Sequence, residues 1–216
     1  MNRQTVAAAA LELLGDTGLE GLTLRRLAAK LDVKAPAIYW HFHDKQELLD
    51  EMASTVLRDL AGEIHTPRRM RWDRWATEYG RTLRRVLLSY RDGARMVSGT
   101  RATDPAIYAA METAIRRLTD EGFSPYRAVM GLSTIYCYVV GFVIEEQAVF
   151  TPGGEMDEVY KPEVRALRVD ANKMPLAAKS GEYLFTKFDR RFNDGLKLII
   201  GGLRPGSAER ARGAAR

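Results

Sequence analysis

The sequence predicts an all-α protein, and three observations carry that expectation. Apolar residues recur at spacings of three and four along most of the chain, the period of one helix face. Ser, Thr or Asp stands ahead of several of these runs, where a side-chain oxygen caps the free N–H groups of a first turn. No stretch alternates convincingly as a half-buried strand does.

Val6, Ala9, Ala10, Leu13 and Leu14 form one face of a first helix, stopped by Gly15-Asp16-Thr17-Gly18. Thr23 caps a second helix carrying Leu24, Leu27, Ala28 and Leu31, broken at Asp32-Val33. The third begins near Ala35 with Pro36 in its first turn, where a missing N–H costs nothing. Asp44-Lys45-Gln46-Glu47 reads as a capping box opening a helix through Leu48, Leu49, Met52, Val56 and Leu60.

Beyond Thr66-Pro67, Trp72, Trp75, Tyr79, Leu83, Val86, Leu87 and Tyr90 mark a long amphipathic helix. Gly93 and Gly99 bracket a turn or two of helix. Asp104-Pro105 starts another, with Ile107, Met111, Ala114, Ile115 and Leu118 inward. Ser124-Pro125 starts a helix apolar on several sides, which must be buried on more than one face. Residues 151–180 read as a long loop with a short helix near Leu176. The last helix is expected to carry Leu184, Phe188, Phe192, Leu196, Ile199, Ile200 and Leu203.

The chain has 216 residues, room for one or two domains, with 46% hydrophobic and 28% charged, as in folded globular proteins. Its longest apolar run, over 132–144, is short of a membrane span, and no secretory h-region is visible at the N-terminus. Cys137 is the single cysteine, so no intrachain disulfide or cysteine metal cluster can form. These features set the expectation of a cytoplasmic protein without membrane contact. Net charge is +5, but residues 1–50 carry six Lys/Arg against seven Asp/Glu. Residues 68–95 carry nine arginines against three acids, which we read as a solvated face. A nucleic-acid partner therefore has to rest on a motif and not on bulk basicity.

That motif is in the first fifty residues. Three close-set helices, the last two separated by a few residues, have the spacing of a helix-turn-helix, whose later helix enters a major groove. The third segment, Lys34-Ala35-Pro36-Ala37-Ile38-Tyr39-Trp40-His41-Phe42, offers polar and aromatic groups for phosphates, and Ala37 is small enough for close approach to a base. The same spacing also describes a plain three-helix core in which Tyr39 and Trp40 pack.

Leu22-Thr23-Leu24-Arg25-Arg26-Leu27-Ala28, followed by Ala37-Ile38-Tyr39-Trp40-His41-Phe42-His43-Asp44-Lys45-Gln46-Glu47-Leu48-Leu49, resembles the DNA-binding domain of TetR-type repressors. The Tyr-Trp-His form is similar to the tetracycline repressor subgroup. So are Leu87-Leu88-Ser89-Tyr90-Arg91-Asp92-Gly93-Ala94-Arg95, Gly99-Thr100-Arg101, Glu121-Gly122-Phe123-Ser124 and Gly141-Phe142-Val143-Ile144-Glu145-Glu146-Gln147. The resemblance implies a helix-turn-helix domain over 1–45, a C-terminal ligand-binding and dimerisation domain over 46–204, and a disordered tail over 205–216. It implies a homodimeric repressor on palindromic double-stranded operator DNA, released by a small-molecule effector. Thr23, Tyr39 and Lys45, with His41 alongside, would meet phosphates; Arg25, Lys34, Ala35, Pro36 and Ala37 would face bases. Trp40 belongs to the same surface, although packing is the favoured reading for it, and His43 faces solvent.

In the tetracycline repressor, polar residues bind the drug and a histidine helps to hold its magnesium. The matching positions here are Ala61, Tyr79, Leu83, Val97 and Ala114, while Thr100, Arg101 and Glu145 remain. Val97 cannot coordinate a hard cation, so a different, largely apolar effector, antibiotic- or metabolite-like, is expected. Its pocket would use Tyr79, Leu83, Val97, Thr100, Arg101, Met111, Ile115, Leu132, Tyr136 and Glu145.

No other chemistry competes well. His41 and His43 point apart on a helix, and with His65 they form no ligand set, so neither metal nor cofactor is expected. Cys137, in an apolar helix, is read as a buried hydrophobe and not a nucleophile. Glu145 and Glu146 diverge by about 100° on a helix and do not converge on a substrate. No phosphate loop, nucleophile elbow or zinc-protease motif appears, and no catalytic residue is assigned. The remaining alternative is a helical small-molecule binder or enzyme whose N-terminal domain no longer reads DNA.

Overall fold

The computed structural model describes residues 2–64, 70–101, 104–151 and 153–204, and His65 and the tail over 205–216 lie outside them. Among the described residues the chain is helical, apart from a lone bridge between Phe150 and Met156. The N-terminal helices are α1 (Arg3–Gly21), α2 (Leu24–Lys30) and α3 (Ala35–Tyr39). Then come α4 (Lys45–Glu63), α5 (Trp72–Leu88), α6 (Gly93–Val97), α7 (Pro105–Asp120) and α8 (Pro125–Val149). The chain closes with α9 (Pro162–Ala166), α10 (Pro175–Leu184) and α11 (Phe188–Gly202).

The expected caps form. Thr23 accepts a hydrogen bond from the Arg26 N–H at 3.2 Å, Asp44 from Glu47 at 2.9 Å, and Asp104 from Ala106 at 2.8 Å. Ser124 accepts from Arg127 at 3.4 Å. The box at Asp44 closes one residue early: Glu47 Oε2 accepts from the His43 N–H at 3.0 Å rather than from Asp44.

Three boundaries differ from expectation. α1 runs on through Gly15, because Gly15 and Thr17 accept helical torsions; the break comes at Gly18, with φ at +69°. There a Cβ would sit 3.1 Å from the Arg91 and Asp92 side chains, so glycine satisfies both the torsion and the close approach. Residues 151–180 hold a 3-10 turn and α9 as well as the helix at Leu176. Leu184 ends α10, and a positive φ at Lys187 separates it from α11.

The core is continuous from Val6 to Ile200, with Phe42, Trp75 and Phe192 among its largest fully buried side chains. α1 packs on α2 and α4; α5 is held by α8, α11 and α4. α5 approaches α11 closely because Gly80 faces Leu196, where a Cβ would lie 2.9 Å from Leu196 Cδ2. α8 is longer than the apolar run suggests: its 25 residues suffice, by length and composition alone, to cross a bilayer. It packs as a core helix against α5, α7, α11 and α6, yet Tyr126, Val129 and Met130 on it are exposed. Cys137 is exposed too, against the expectation of burial, because it falls on this uncovered side of α8.

Candidate functional site

The first candidate surface is the short α3 and its approach. Asp32, at φ +51°, turns the chain from α2 into α3, and α2 and α3 pack together. Ile38 and Phe42 anchor α3 in the core at 0% exposure, which leaves Lys34, Pro36, Tyr39 and Trp40 outside. Ala35, Ala37 and His41 are half-buried, and Arg25 and Thr23 are exposed on the adjoining α2 end. Trp40 is 86% exposed and Tyr39 53%, so the packing role favoured for Trp40 is not what the fold gives it. It sits at the C-terminal end of α3, after Ile38 and before Phe42, which take the inward positions. His43 faces solvent as expected, with Nδ1 3.1 Å from Glu47 Oε2.

Lys45 is placed differently from the other polar residues of this surface. Its Nζ donates to the Leu19 carbonyl at 2.8 Å, and Asp92 Oδ2 accepts the Leu19 N–H at 2.8 Å. The Leu19 peptide is thus held by α4 on one side and by the turn entering α6 on the other. Arg91 donates to the Asp16 carbonyl at 3.0 Å, and Arg95 pairs with Glu20 at 2.9 Å.

The second candidate is a cavity of about 550 Å³ walled by α4, α5, α7 and α8, with Thr100 and Arg101 at the end of α6. Of the expected pocket residues it gathers Tyr79, Thr100, Arg101, Met111, Ile115, Leu132 and Tyr136. Leu83 and Val97 are not in the lining; both are fully packed in the core. Glu145 is exposed on α8, away from the lining. Met111, expected inward, is partly exposed because it lines this opening. Ala61 and Ala114, named as matching positions, do line the cavity, whereas sequence reasoning missed the α4 wall of Ala53, Leu57 and Leu60, Ile64 just beyond it and the α5 contribution of Trp75. Their spacing of three and four is legible, but periodicity alone does not separate a cavity wall from a core face.

Polar chemistry in the cavity is sparse. Ser54, Thr100 and Thr113 donate their hydroxyls to backbone carbonyls at 2.6–2.9 Å. Trp75 Nε1–H is buried without a hydrogen-bond partner among the described residues, and its ring stacks on Tyr79 with centroids 5.9 Å apart. Burial pushes both the Tyr79 and Tyr136 phenols above their ordinary values, so they stay protonated donors at neutral pH. Among the described lining residues there is no His, Cys, Asp or Glu. A hard divalent ion, which takes oxygen donors and above all carboxylates, does not fit this wall.

Sequence comparison decides what the two sites belong to. The family described as bacterial regulatory proteins, tetR family, matches residues 6–52, and the tetracyclin repressor-like C-terminal domain matches residues 66–205. The chain belongs to the TetR family. Tetracycline repressor protein class G of Vibrio anguillarum is 39% identical over 202 residues, covering 94% of this chain and 93% of that one. Among solved structures, a TetR variant from Acinetobacter baumannii AYE in complex with minocycline is 37% identical, with TM-score 0.72 and 98% of both chains covered. A protein described as a possible TetR family transcriptional regulator from Streptomyces coelicolor A3(2) is 34% identical. Its TM-score is 0.83, covering 94% of this chain and 98% of that one. This TetR-family chain accordingly combines a tetR-type N-terminal domain with a repressor-like C-terminal domain, and its relatives are transcriptional regulators.

Proposed function

We propose that this chain is a transcriptional repressor that binds a palindromic operator as a homodimer and is released by a small organic effector. One observation carries the reading: α4 begins at Lys45, beside the exposed α3, and its later turns wall the cavity. A ligand that displaces α4 displaces the surface that would read DNA. We assign residues 1–45 to the reading head, residues 46–204 to the effector and dimer domain, and no catalytic role to either. Thr23, Tyr39 and His41 serve the phosphate side, with Trp40 on the same surface; Lys45 braces that surface from the Leu19 carbonyl, and Arg25, Lys34, Ala35, Pro36 and Ala37 serve the bases. A cytoplasmic location follows from an operator as partner.

The dimer face is assigned to α8 and α11. Tyr126, Val129, Met130 and Leu198 are large apolar side chains left exposed there, and a second copy related by a twofold axis would cover them. Two α3 helices set about 34–36 Å apart then enter successive major grooves. An effector that binds better to another spacing releases the operator, and a preference of a few kcal/mol moves the occupancy substantially.

The minocycline-bound Acinetobacter relative makes a tetracycline the first effector to test. The cavity wall argues against a magnesium-bound drug here, because Ala61, Tyr79 and Ala114 line it and no imidazole or carboxylate joins them among the described residues. A gel shift on the protein's own promoter, lost in Arg25→Ala and Tyr39→Ala, tests the operator claim. If both variants shift DNA like the parent, the reading fails in favour of a helical small-molecule binder. Calorimetry with tetracycline, with and without magnesium, tests the effector claim; tight magnesium-dependent binding would reject it.

A further inference from the structure

The charges and donors around the cavity say more about its ligand than its apolar walls do. Arg101 is the one charged side chain among the described residues that line it. Its guanidinium is exposed and has no ion-pair or hydrogen-bond partner among the described residues, whereas its backbone N–H is fixed by Asp50 Oδ1 at 2.9 Å. Asp50 is itself engaged, accepting from Gln46 Nε2 at 3.0 Å. Arg101 thus lines the cavity with no countercharge among the other described lining residues.

The neutral polar groups point to the same chemistry. The Ser54, Thr100 and Thr113 hydroxyl protons are taken by backbone carbonyls. Among the described residues the Trp75 Nε1–H is buried without an acceptor, and the Tyr79 and Tyr136 phenols and the Ser133 hydroxyl line the same cavity as further donors. A buried donor without an acceptor is costly, so a ligand bearing acceptors is favoured over a plain hydrocarbon. Stacked aromatic rings on one wall and small alanines on others suit a flat body.

We infer that the cavity takes a flat, multi-ring organic anion without a metal, its ionised group at Arg101 and its carbonyl or ether oxygens on Trp75, Tyr79 and Tyr136. This deepens the effector reading above and rests on it. A cationic ligand or metal chelate finds no carboxylate on this wall to balance it. An anion gains a charge-assisted hydrogen bond from a guanidinium that pairs with nothing else among the described residues.

The test is calorimetry on the full chain in chelator-treated buffer, with an anthraquinone carboxylate and the matching neutral anthraquinone carboxamide as probes. The carboxylate is expected to bind about tenfold more tightly, the size of one charge-assisted hydrogen bond. Arg101→Gln removes that preference by weakening the carboxylate far more than the carboxamide; Arg101→Lys keeps most of it. Trp75→Phe, which retains the ring wall, weakens both probes alike. Equal binding of acid and amide, a preference that survives Arg101→Gln, or no binding of either probe overturns the inference. A gel shift on the same preparations separates the two claims. Intact operator binding without charge preference rejects only the ligand class, whereas charge preference without operator binding rejects only the repressor reading.

Discussion

Arg84 on α5 grips Glu146 on α8 through two hydrogen bonds, Nε to Oε2 at 2.8 Å and Nη2 to Oε1 at 2.6 Å. Both side chains are nearly out of solvent, 12% and 9% exposed. The guanidinium lies 4.9 Å over the Phe192 ring and also meets Asp189 at 2.7 Å. Burial opposes its charge, but hydrogen bonds to Glu146 and Asp189 outweigh that and hold it above the ordinary arginine range.

Breaking this fork from one side leaves a buried charge. Glu146→Ala is expected to cost about 3 kcal/mol, the low end for such a loss because Asp189 still faces the arginine. Replacing both, Arg84→Met with Glu146→Leu, restores stability close to the parent. Urea unfolding of the two variants measures the difference.

The reading head offers a spectroscopic test. Trp40 is the most exposed of the three tryptophans, Trp75 being buried and Trp72 half-buried. Operator binding is expected to quench or blue-shift the Trp40 emission, and Trp40→Phe removes the change. Arg25→Ala should cost about 1–3 kcal/mol against the cognate base and relax discrimination at that position. Titration of operators with single substitutions reads both effects.

Lys45 yields a prediction that its sequence position alone would not. Held at the Leu19 carbonyl, its ammonium is already engaged, so Lys45→Met should leave the salt dependence of operator binding nearly unchanged. A lysine on a phosphate would instead lower the slope of log affinity against log salt by about one. Stability should fall by about 1–2 kcal/mol, as for a lost hydrogen bond to a charged group.

Tyr79 links burial to alkaline stability. Its folded-state value lies above the ordinary 10, so its contribution is complete below that pH and is lost as pH rises past it. Tyr79→Phe removes the proton and should flatten the alkaline decline of the urea midpoint. The decline does not vanish, since Tyr90, Tyr136 and Tyr138 are also raised, each chiefly by burial.

Much of this architecture is legible from residue types. Thr23, Asp44, Asp104 and Ser124 announce their helices because capping is local chemistry, readable over four residues. The α1 break is harder to place because Gly15 and Gly18 are the same residue type, and only contact with Arg91 and Asp92 selects Gly18. Trp40 and Cys137 defy expectation for a related reason: side-chain apolarity predicts that a surface will be covered, not which chain covers it. Leu83 and Val97 lie on the inward faces of the right helices, yet register against neighbouring helices decides core or cavity. Tyr79, by contrast, reaches the cavity on the helix face that spacing alone assigns to it.

The doubly held Leu19 peptide also bears on how the molecule comes apart. Its N–H and its carbonyl are each claimed from outside α1, and hydrophobic contact runs unbroken from Val6 to Ile200. Neither portion owns a complete interior. Heating should give a single calorimetric peak, and a fragment ending before Asp92 should fray from Gly18 onward instead of behaving as an autonomous module.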